Sequence, residues 1–497
     1  MTTTASNADV RTLRMLVAGA ERAPHATETE PVYDPATGAV IAHVPLGNAA
    51  DVDAAVAAAR AAFPAWQATP VVERTRILFH YHTLLEAHFD ELARLVVREN
   101  GKTLEDARGE VRRGIEMVEY ACGAPTLLMG ETVRDVSRGI DCESIRYPLG
   151  VIAGITPFNF PMMVPHWMIP LALVCGNTFV LKPSERTPLS AERFAHLLTE
   201  AGLPAGVFNV VHGARATVTA LLEHPDVRAV SFVGSQPVAA HVYRTAAAHG
   251  KRVQALAGAK NHLIVLPDAK LDQAVPAIIA SAFGAAGERC LAGSVVVAVG
   301  GVADELVRRL DTAAGGLRLG SGLDSATGMG PVIRADHRER VRGYIARGKA
   351  QGATVVRDGT TNGDGNGHAG AAPDPDGFFL APTIFDRVTP EMDIAREEIF
   401  GPVLSVVRVE TLEEGIAVAN RSRFGNAASI FTTSGAAART FRERIEAGML
   451  GVNVGVAAPL AFFPFAGWKN SFYGDLHATG KDAIAFYTDQ KVITSRW

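Results

Sequence analysis

The chain has 497 residues, 48% of them hydrophobic and 20% charged, and a formal net charge of -4. That balance excludes a strongly basic nucleic-acid-binding face, and the length exceeds what one hydrophobic core usually serves, so two or three domains are expected. The four cysteines, Cys122, Cys142, Cys175 and Cys290, form no CxxC pair. This usage fits a reducing compartment, where a thiol is either core filler or a nucleophile.

In chain order, residues 1–25 are polar and without period, and predict a tail or a wrapping arm. They lack the apolar stretch of a secretion signal, so the protein is expected to be cytoplasmic. Residues 51–66 (DVDAAVAAARAAFPAW) predict a helix with an acidic first turn, and residues 72–100 a longer helical stretch that Gly101 stops. The longest apolar run, Met162 to Cys175, is broken by Pro165, His166 and Pro170 and is too short to cross a bilayer. From Gly150 the pattern changes. GVIAGITP, NTFVLKP, GVFNVVHG, VRAVSFVG, RVQALAG and HLIVLPDA are short β-branched runs, mostly separated by helical segments such as SAERFAHLLTEAG and PVAAHVYRTAAAHG. Strand and helix in alternation predict an α/β fold with a doubly wound parallel sheet, which binds ligands at the carboxyl ends of its strands. A second α/β region follows Asp268 and contains SVVVAVGG and PVLSVVRVE. Between those runs, the Gly/Asp/Asn/Pro-rich residues 359–377 predict a surface loop. Near the end, AIAFYTDQKVITS alternates like an exposed strand, and an unpaired edge of that kind calls for a partner subunit.

Four segments could carry chemistry. In SAFGAAGERCLAGS, small residues before Cys290 would let a substrate approach, and Arg289 would favour the thiolate; the segment equally fits a buried cysteine in a tight loop. In ITPFNFP, Asn159 follows an apolar strand and could aim its amide at a developing oxyanion, or simply form a turn. NTFVLKPSE ends a strand in Lys182 and Glu185, which together could grip ribose hydroxyls; a carboxylate there disfavours a 2'-phosphate and so favours NAD over NADP. In SFVGSQPVA, Gly234 and Ser235 lead from a strand into a helix whose N-terminus could hold a phosphate. No grouping has zinc-site spacing, although His80 and His82 form an HxH, and neither a P-loop nor a GxSxG elbow occurs.

Together and in this order, ITPFNFP, LKPSE, FVGS, the cysteine loop and EEIFGPV (397–403) resemble the aldehyde dehydrogenase superfamily, from about Tyr33 to the C-terminus. The resemblance implies Cys290 as nucleophile, with Asn159 and the Cys290 N–H as its oxyanion hole. It implies NAD on Thr156, Pro157, Phe158, Lys182, Glu185, Gly234, Ser235, Glu398 and Phe400, and no metal. Ala239 stands where many relatives carry glycine. It further implies an NAD-binding domain over 1–127 and 149–257, a catalytic domain over 258–470, and oligomerisation strands over 128–148 and 484–497 in a homodimer or homotetramer. One departure matters. Most hydrolytic members carry ELGGK, whose glutamate activates water, whereas this chain reads LAGAK with Leu256 in that place. Leucine cannot accept a proton, and coenzyme A, with a more acidic hydrogen than water, needs less help to collect an acyl group. Relocation of the base to Glu288 is the other reading. GAKNH, GERC and the segment from Gly451 to Thr488 resemble the CoA-acylating methylmalonate-semialdehyde (malonate-semialdehyde) dehydrogenase branch, whose 3-oxo acid substrates would meet Arg289 and Arg113 as counter-charges. A hydrolytic aldehyde dehydrogenase, a non-catalytic protein on the same fold and a cofactor-free cysteine hydrolase remain the competing readings.

Overall fold

The structure, a computed structural model, describes residues 10–361 and 374–497. Two parallel-rich sheets dominate. The first has eight strands in the order Ala20–Arg22, Met15–Val17, Phe208–Val210, Thr178–Lys182, Val151–Ile155, Val227–Val233, Arg252–Leu256 and Phe472–Tyr473. Its five central strands are parallel, and the outer ones run antiparallel. Moving outward from Val151–Ile155, the chain winds one way through Thr178–Lys182 and Phe208–Val210. It winds the other way through Val227–Val233 and Arg252–Leu256. The doubly wound reading is therefore correct, and the winding reverses between Val151–Ile155 and Val227–Val233. That is where such sheets open a crevice.

The second sheet has seven strands in the order Thr354–Arg357, Thr383–Asp386, Val403–Val409, Gly293–Val299, Asn261–Val265, Ala427–Phe431 and Met449–Val452, all parallel except the first. Its central strands are buried on both faces, which is why they read as unbroken β-branched runs. Residues 257–260 alone separate Arg252–Leu256 from Asn261–Val265. The carboxyl end of the first sheet thus abuts the amino end of the second.

Three expectations need correction. Residues 15–22 are not a tail: Met15–Val17 joins the first sheet and is buried, because Met, Leu and Val there have a sheet edge to cover. The 72–100 stretch is two helices, Val71–Ala87 and Phe89–Asn100, breaking at His88; Gly101 caps the second with φ +88°. The AIAF of the last segment is helical (Gly480–Phe486), and only Thr488–Arg496 is strand. That strand pairs with Ile140–Pro148, which pairs with Thr132–Ser137, giving a separate three-stranded sheet. Most of the expected 359–377 loop, residues 362–373, lies outside the described residues. None of the described helices is long and apolar enough to cross a membrane.

Candidate active site

The crevice at the winding reversal collects most of the residues singled out in the sequence. Thr156, Pro157, Phe158 and Asn159 leave the end of Val151–Ile155, while Gly234 and Ser235 leave the neighbouring Val227–Val233. Lys182 ends the next strand; its carbonyl accepts from Thr156 N at 3.2 Å. Lys182 is buried, with its ammonium 3.0 Å from Glu185. Burial pushes the Glu185 carboxyl up, but the Lys182 charge and hydrogen bond, a backbone N–H and Arg186 together outweigh this and hold it below its ordinary value. Ser235 caps the Gln236–Ala248 helix without a side-chain capping bond, so the positive first turn stays open. Ala239 packs in the core with Val151 and Ile155, so a methyl group in place of glycine is accommodated there.

Cys290 arrives from the other sheet. The Leu271–Phe283 helix ends in a turn in which Ala285 (φ 48°), Ala286 (φ 52°) and Gly287 (φ 72°) are all left-handed. A Cβ on Gly287 would lie 2.3 Å from the Gly401 carbonyl, so only glycine fits. Asp106, in the Leu104–Cys122 helix, accepts from Ala285 N at 3.1 Å and binds the Arg289 guanidinium. Two amides that the sequence reading passed over hold the Cys290 backbone itself. Asn261 Nδ2 and Asn426 Nδ2 donate to the Cys290 carbonyl at 2.8 and 2.9 Å. Both asparagines sit at amino ends of strands in the second sheet, and only the fold brings them together. Asn159 Nδ2 donates to the Glu288 carbonyl at 3.0 Å, tying the two sheets across the crevice.

The thiol's electrostatics overturn one expectation. Burial pushes the Cys290 thiol up to about 12, the nearby Glu398 adds to this, and Arg289 lowers it only weakly. The reason is geometric: the guanidinium is committed to Asp106. Glu398 Oε1 accepts from Ala259 N at 2.9 Å, and burial raises this carboxyl to about 7. Gly258 makes room for it, since a Cβ there would meet Glu398 Oε2 at 2.4 Å. The helix Ala335–Ala350 fixes the following backbone. Arg340 donates to the carbonyls of Glu398 and Ile399 at 2.9 and 2.7 Å, and His337 Nε2 contacts that of Phe400 at 2.6 Å. Phe400, left-handed at φ 59°, meets Phe158 edge-on with centroids 5.8 Å apart.

Glu288 is fully buried and pushed up to about 8 by that burial, with Oε1 accepting from Ile333 N at 3.2 Å and lying 3.3 Å from His337. Its carboxyl therefore faces the Ala335–Ala350 side. Leu256 is buried in the same apolar cluster that Cys290 packs against, with Leu291, Trp167 and Phe465. Trp167 and Phe465 pack with centroids 4.5 Å apart and planes tilted by 33°, an aromatic pair that sequence reading missed because its halves lie about 300 residues apart. Arg113 does not join the cluster by any hydrogen bond or ion pair among the described residues; its partner is Glu116 at 3.0 Å. It nevertheless lies two turns along the same helix face as Asp106, whereas Arg112 turns away to Glu86.

Among the described residues, one group of potential metal ligands forms, His82, Glu86 and Glu119. Arg112 already engages Glu86.

Comparison with known proteins agrees with this arrangement. The model of the aldehyde dehydrogenase family matches residues 22–493. The chain is 60% identical over 489 residues to malonate-semialdehyde dehydrogenase 3 of Geobacillus kaustophilus (strain HTA426), covering 98% of this chain and 99% of that one. It is 55% identical over 489 residues to malonate-semialdehyde dehydrogenase of Bacillus pumilus (strain SAFR-032), with 98% and 99% covered. Among solved structures, methylmalonate-semialdehyde dehydrogenase from Oceanimonas doudoroffii superimposes with a TM-score of 0.95 at 50% identity, over 98% of this chain and 99% of that one. A second structure, provisionally given the same name, comes from Sinorhizobium meliloti 1021 and is complexed with NAD. It superimposes with a TM-score of 0.95 at 46% identity, over 98% of each chain. With its motifs, its two abutting sheets and a match over nearly its whole length, this chain belongs to the aldehyde dehydrogenase family.

Proposed function

We propose that the protein is an NAD-dependent, CoA-acylating semialdehyde dehydrogenase, which converts malonate or methylmalonate semialdehyde to acetyl-CoA or propionyl-CoA through a thioester on Cys290. The names of its relatives support the substrate class. The observation that carries the choice of acceptor is Leu256, which is buried in the apolar cluster that Cys290 also packs against and stands where most hydrolytic members carry glutamate. The relocated base is disfavoured because Glu288 is turned toward Ile333 and His337.

NAD fits the residues present. The Lys182–Glu185 pair suits ribose hydroxyls, the open first turn after Ser235 suits a pyrophosphate, Glu398 lies close enough to Cys290 to act on its thiol, and Phe400 packs on Phe158. When bound, NAD supplies the hydride acceptor. The protein's own part begins with the Cys290 sulfur, which gives its proton to water and bonds to the aldehyde carbon. The carbonyl oxygen becomes an oxyanion held by the Cys290 N–H and by the Asn159 amide, which has one hydrogen on the Glu288 carbonyl and a second to offer. Asn261 and Asn426 keep the Cys290 backbone still while this happens. After oxidation the acyl group is a thioester with its carboxylate β to the carbonyl. Loss of CO2 leaves the bonding pair as a thioester enolate, stabilised by the same donors and then protonated at carbon. CoA sulfur attacks the thioester carbonyl, and the Cys290 sulfur leaves and takes back a proton. Arg289 and Arg113 are the proposed counter-charges for the substrate carboxylate, with Arg289 exchanging some of its hold on Asp106.

The division into an NAD-binding domain (1–127 and 149–257), a catalytic domain (258–470) and oligomerisation strands (128–148 and 484–497) is part of this reading. The deciding experiment is mass spectrometry of the products of malonate and methylmalonate semialdehyde turned over with NAD, with and without CoA. We expect acyl-CoA with CoA, and at most one equivalent of NADH per site without it. Sustained release of free acid in the absence of CoA would establish the hydrolytic alternative instead.

A further inference from the structure

A charged pair buried behind the crevice has no part in the chemistry above, and its contacts all converge on one turn. Lys102 and Glu110 flank the start of the Leu104–Cys122 helix; both side chains are fully buried, and Lys102 Nζ lies 2.5 Å from Glu110 Oε2. Lys102 Nζ also donates to the backbone carbonyl of Asn159 at 2.6 Å and lies 4.2 Å from the centroid of the Phe160 ring. The three donors of the ammonium thus have a carboxylate, a carbonyl and an aromatic face. The other oxygen of Glu110 accepts from Met162 N at 2.7 Å and Met163 N at 3.2 Å. Just before Lys102, Asn100 Nδ2 donates to the Phe158 carbonyl at 3.1 Å, which Thr187 Oγ1 also reaches at 3.2 Å. Phe158, Asn159, Met162 and Met163 are therefore pinned by one short piece of chain.

A buried ion pair is a poor means of adding stability, because desolvating both charges offsets most of their attraction. Spent instead on fixing a backbone, it makes sense. The Asn159 amide has to reach the place where negative charge develops, and an oxyanion donor displaced by even about 1 Å loses much of its effect. No side chain on its own strand end restrains the Asn159 carbonyl; Lys102 does so from another element.

We propose that Lys102 and Glu110 are positioning residues for the Asn159 amide, acting on the formation of the thiohemiacetal rather than on cofactor binding or on the sulfur. The proposal rests on Asn159 being the oxyanion donor. The test is a double-mutant cycle with Lys102→Met and Asn159→Ala. It reads the single-turnover rate of NADH formation at saturating aldehyde, the NAD Kd by fluorescence, and the rate of Cys290 alkylation by iodoacetamide. If Lys102 acts through Asn159, Lys102→Met slows NADH formation about tenfold or more. The double variant is then no slower than Asn159→Ala alone, and NAD affinity and alkylation stay within about twofold of the unmodified enzyme. Losses that multiply, or a Lys102→Met rate within about twofold of normal, overturn the proposal while leaving the oxyanion reading intact. An unaffected Asn159→Ala enzyme overturns both. Glu110→Gln, which keeps an acceptor for the Met162 and Met163 amides, is the second variant should Lys102→Met fail to fold, and the same non-additivity is expected of it.

Discussion

At the scale of single residues, the Cys290 sulfur is surrounded by influences that keep it protonated: burial, then the Glu398 carboxylate, with Arg289 too committed to Asp106 to reverse them. Raising a thiol to about 12 leaves only a trace of thiolate at neutral pH. Alkylation of the free enzyme by iodoacetamide is therefore expected to rise about tenfold per pH unit between pH 7 and 9, without a plateau. Because Glu398 raises the thiol, Glu398→Gln shifts the profile to lower pH and speeds alkylation at pH 8. A plateau near neutrality, or no shift in the variant, would refute this account of the thiol. The cysteine and the asparagine were legible as residues because each stands in a short, unusual segment. What holds them was not: Asn261, Asn426, Lys102 and Asp106 look ordinary in the sequence and gain meaning only from the carbonyls, the amide and the guanidinium they meet.

At the scale of elements, the site is made of strand ends and tight turns. The Gly284–Gly287 turn and the backbone around Gly401 touch, and the glycine at 287 is what lets them. Gly287→Ala would place a methyl group against a carbonyl and force a left-handed non-glycine residue as well. We expect this to cost about 1–3 kcal/mol in stability and to lower acylation more than tenfold, checked by thermal melting and by the NADH burst. An active enzyme with an unchanged Tm would show that the turn relaxes freely. The elements themselves were largely readable. The parallel strands announced themselves by β-branched runs, and Gly101 stopped its helix as expected. The break at His88 left no such mark, because neither glycine nor proline stands there.

At the scale of the molecule, two of the sheet edges among the described residues present apolar side chains outward in a way that calls for a partner. Met449–Val452 ends the second sheet, and Leu450 and Val452 are exposed. The three-stranded sheet exposes Val133, Val136 and Val492, with Trp497 at its tip. Apolar side chains on open strands are an association hazard unless another subunit covers them, which supports the proposed homodimer or homotetramer. Light scattering coupled to size exclusion should find an oligomer, and Val492→Asp should shift it toward monomer with the fold retained by circular dichroism. A monomeric unmodified protein would end that proposal.

The amino-acid order by itself determined the family and the doubly wound sheet and supplied the candidates for nucleophile, oxyanion donor and ribose grip, since its segments, ambiguous one by one, carry the resemblance together and in order. It also gave the absence of a carboxylate at residue 256. Only the tertiary structure decided that Arg289 answers to Asp106 rather than to the thiol, and that Glu288 turns toward His337. It alone showed that the carboxyl ends of one sheet meet the amino ends of another across the crevice. The physical reason is distance along the chain. A side chain's charge and hydrogen bonds are set by whichever groups the fold delivers to it, and here those groups come from segments up to about 180 residues away.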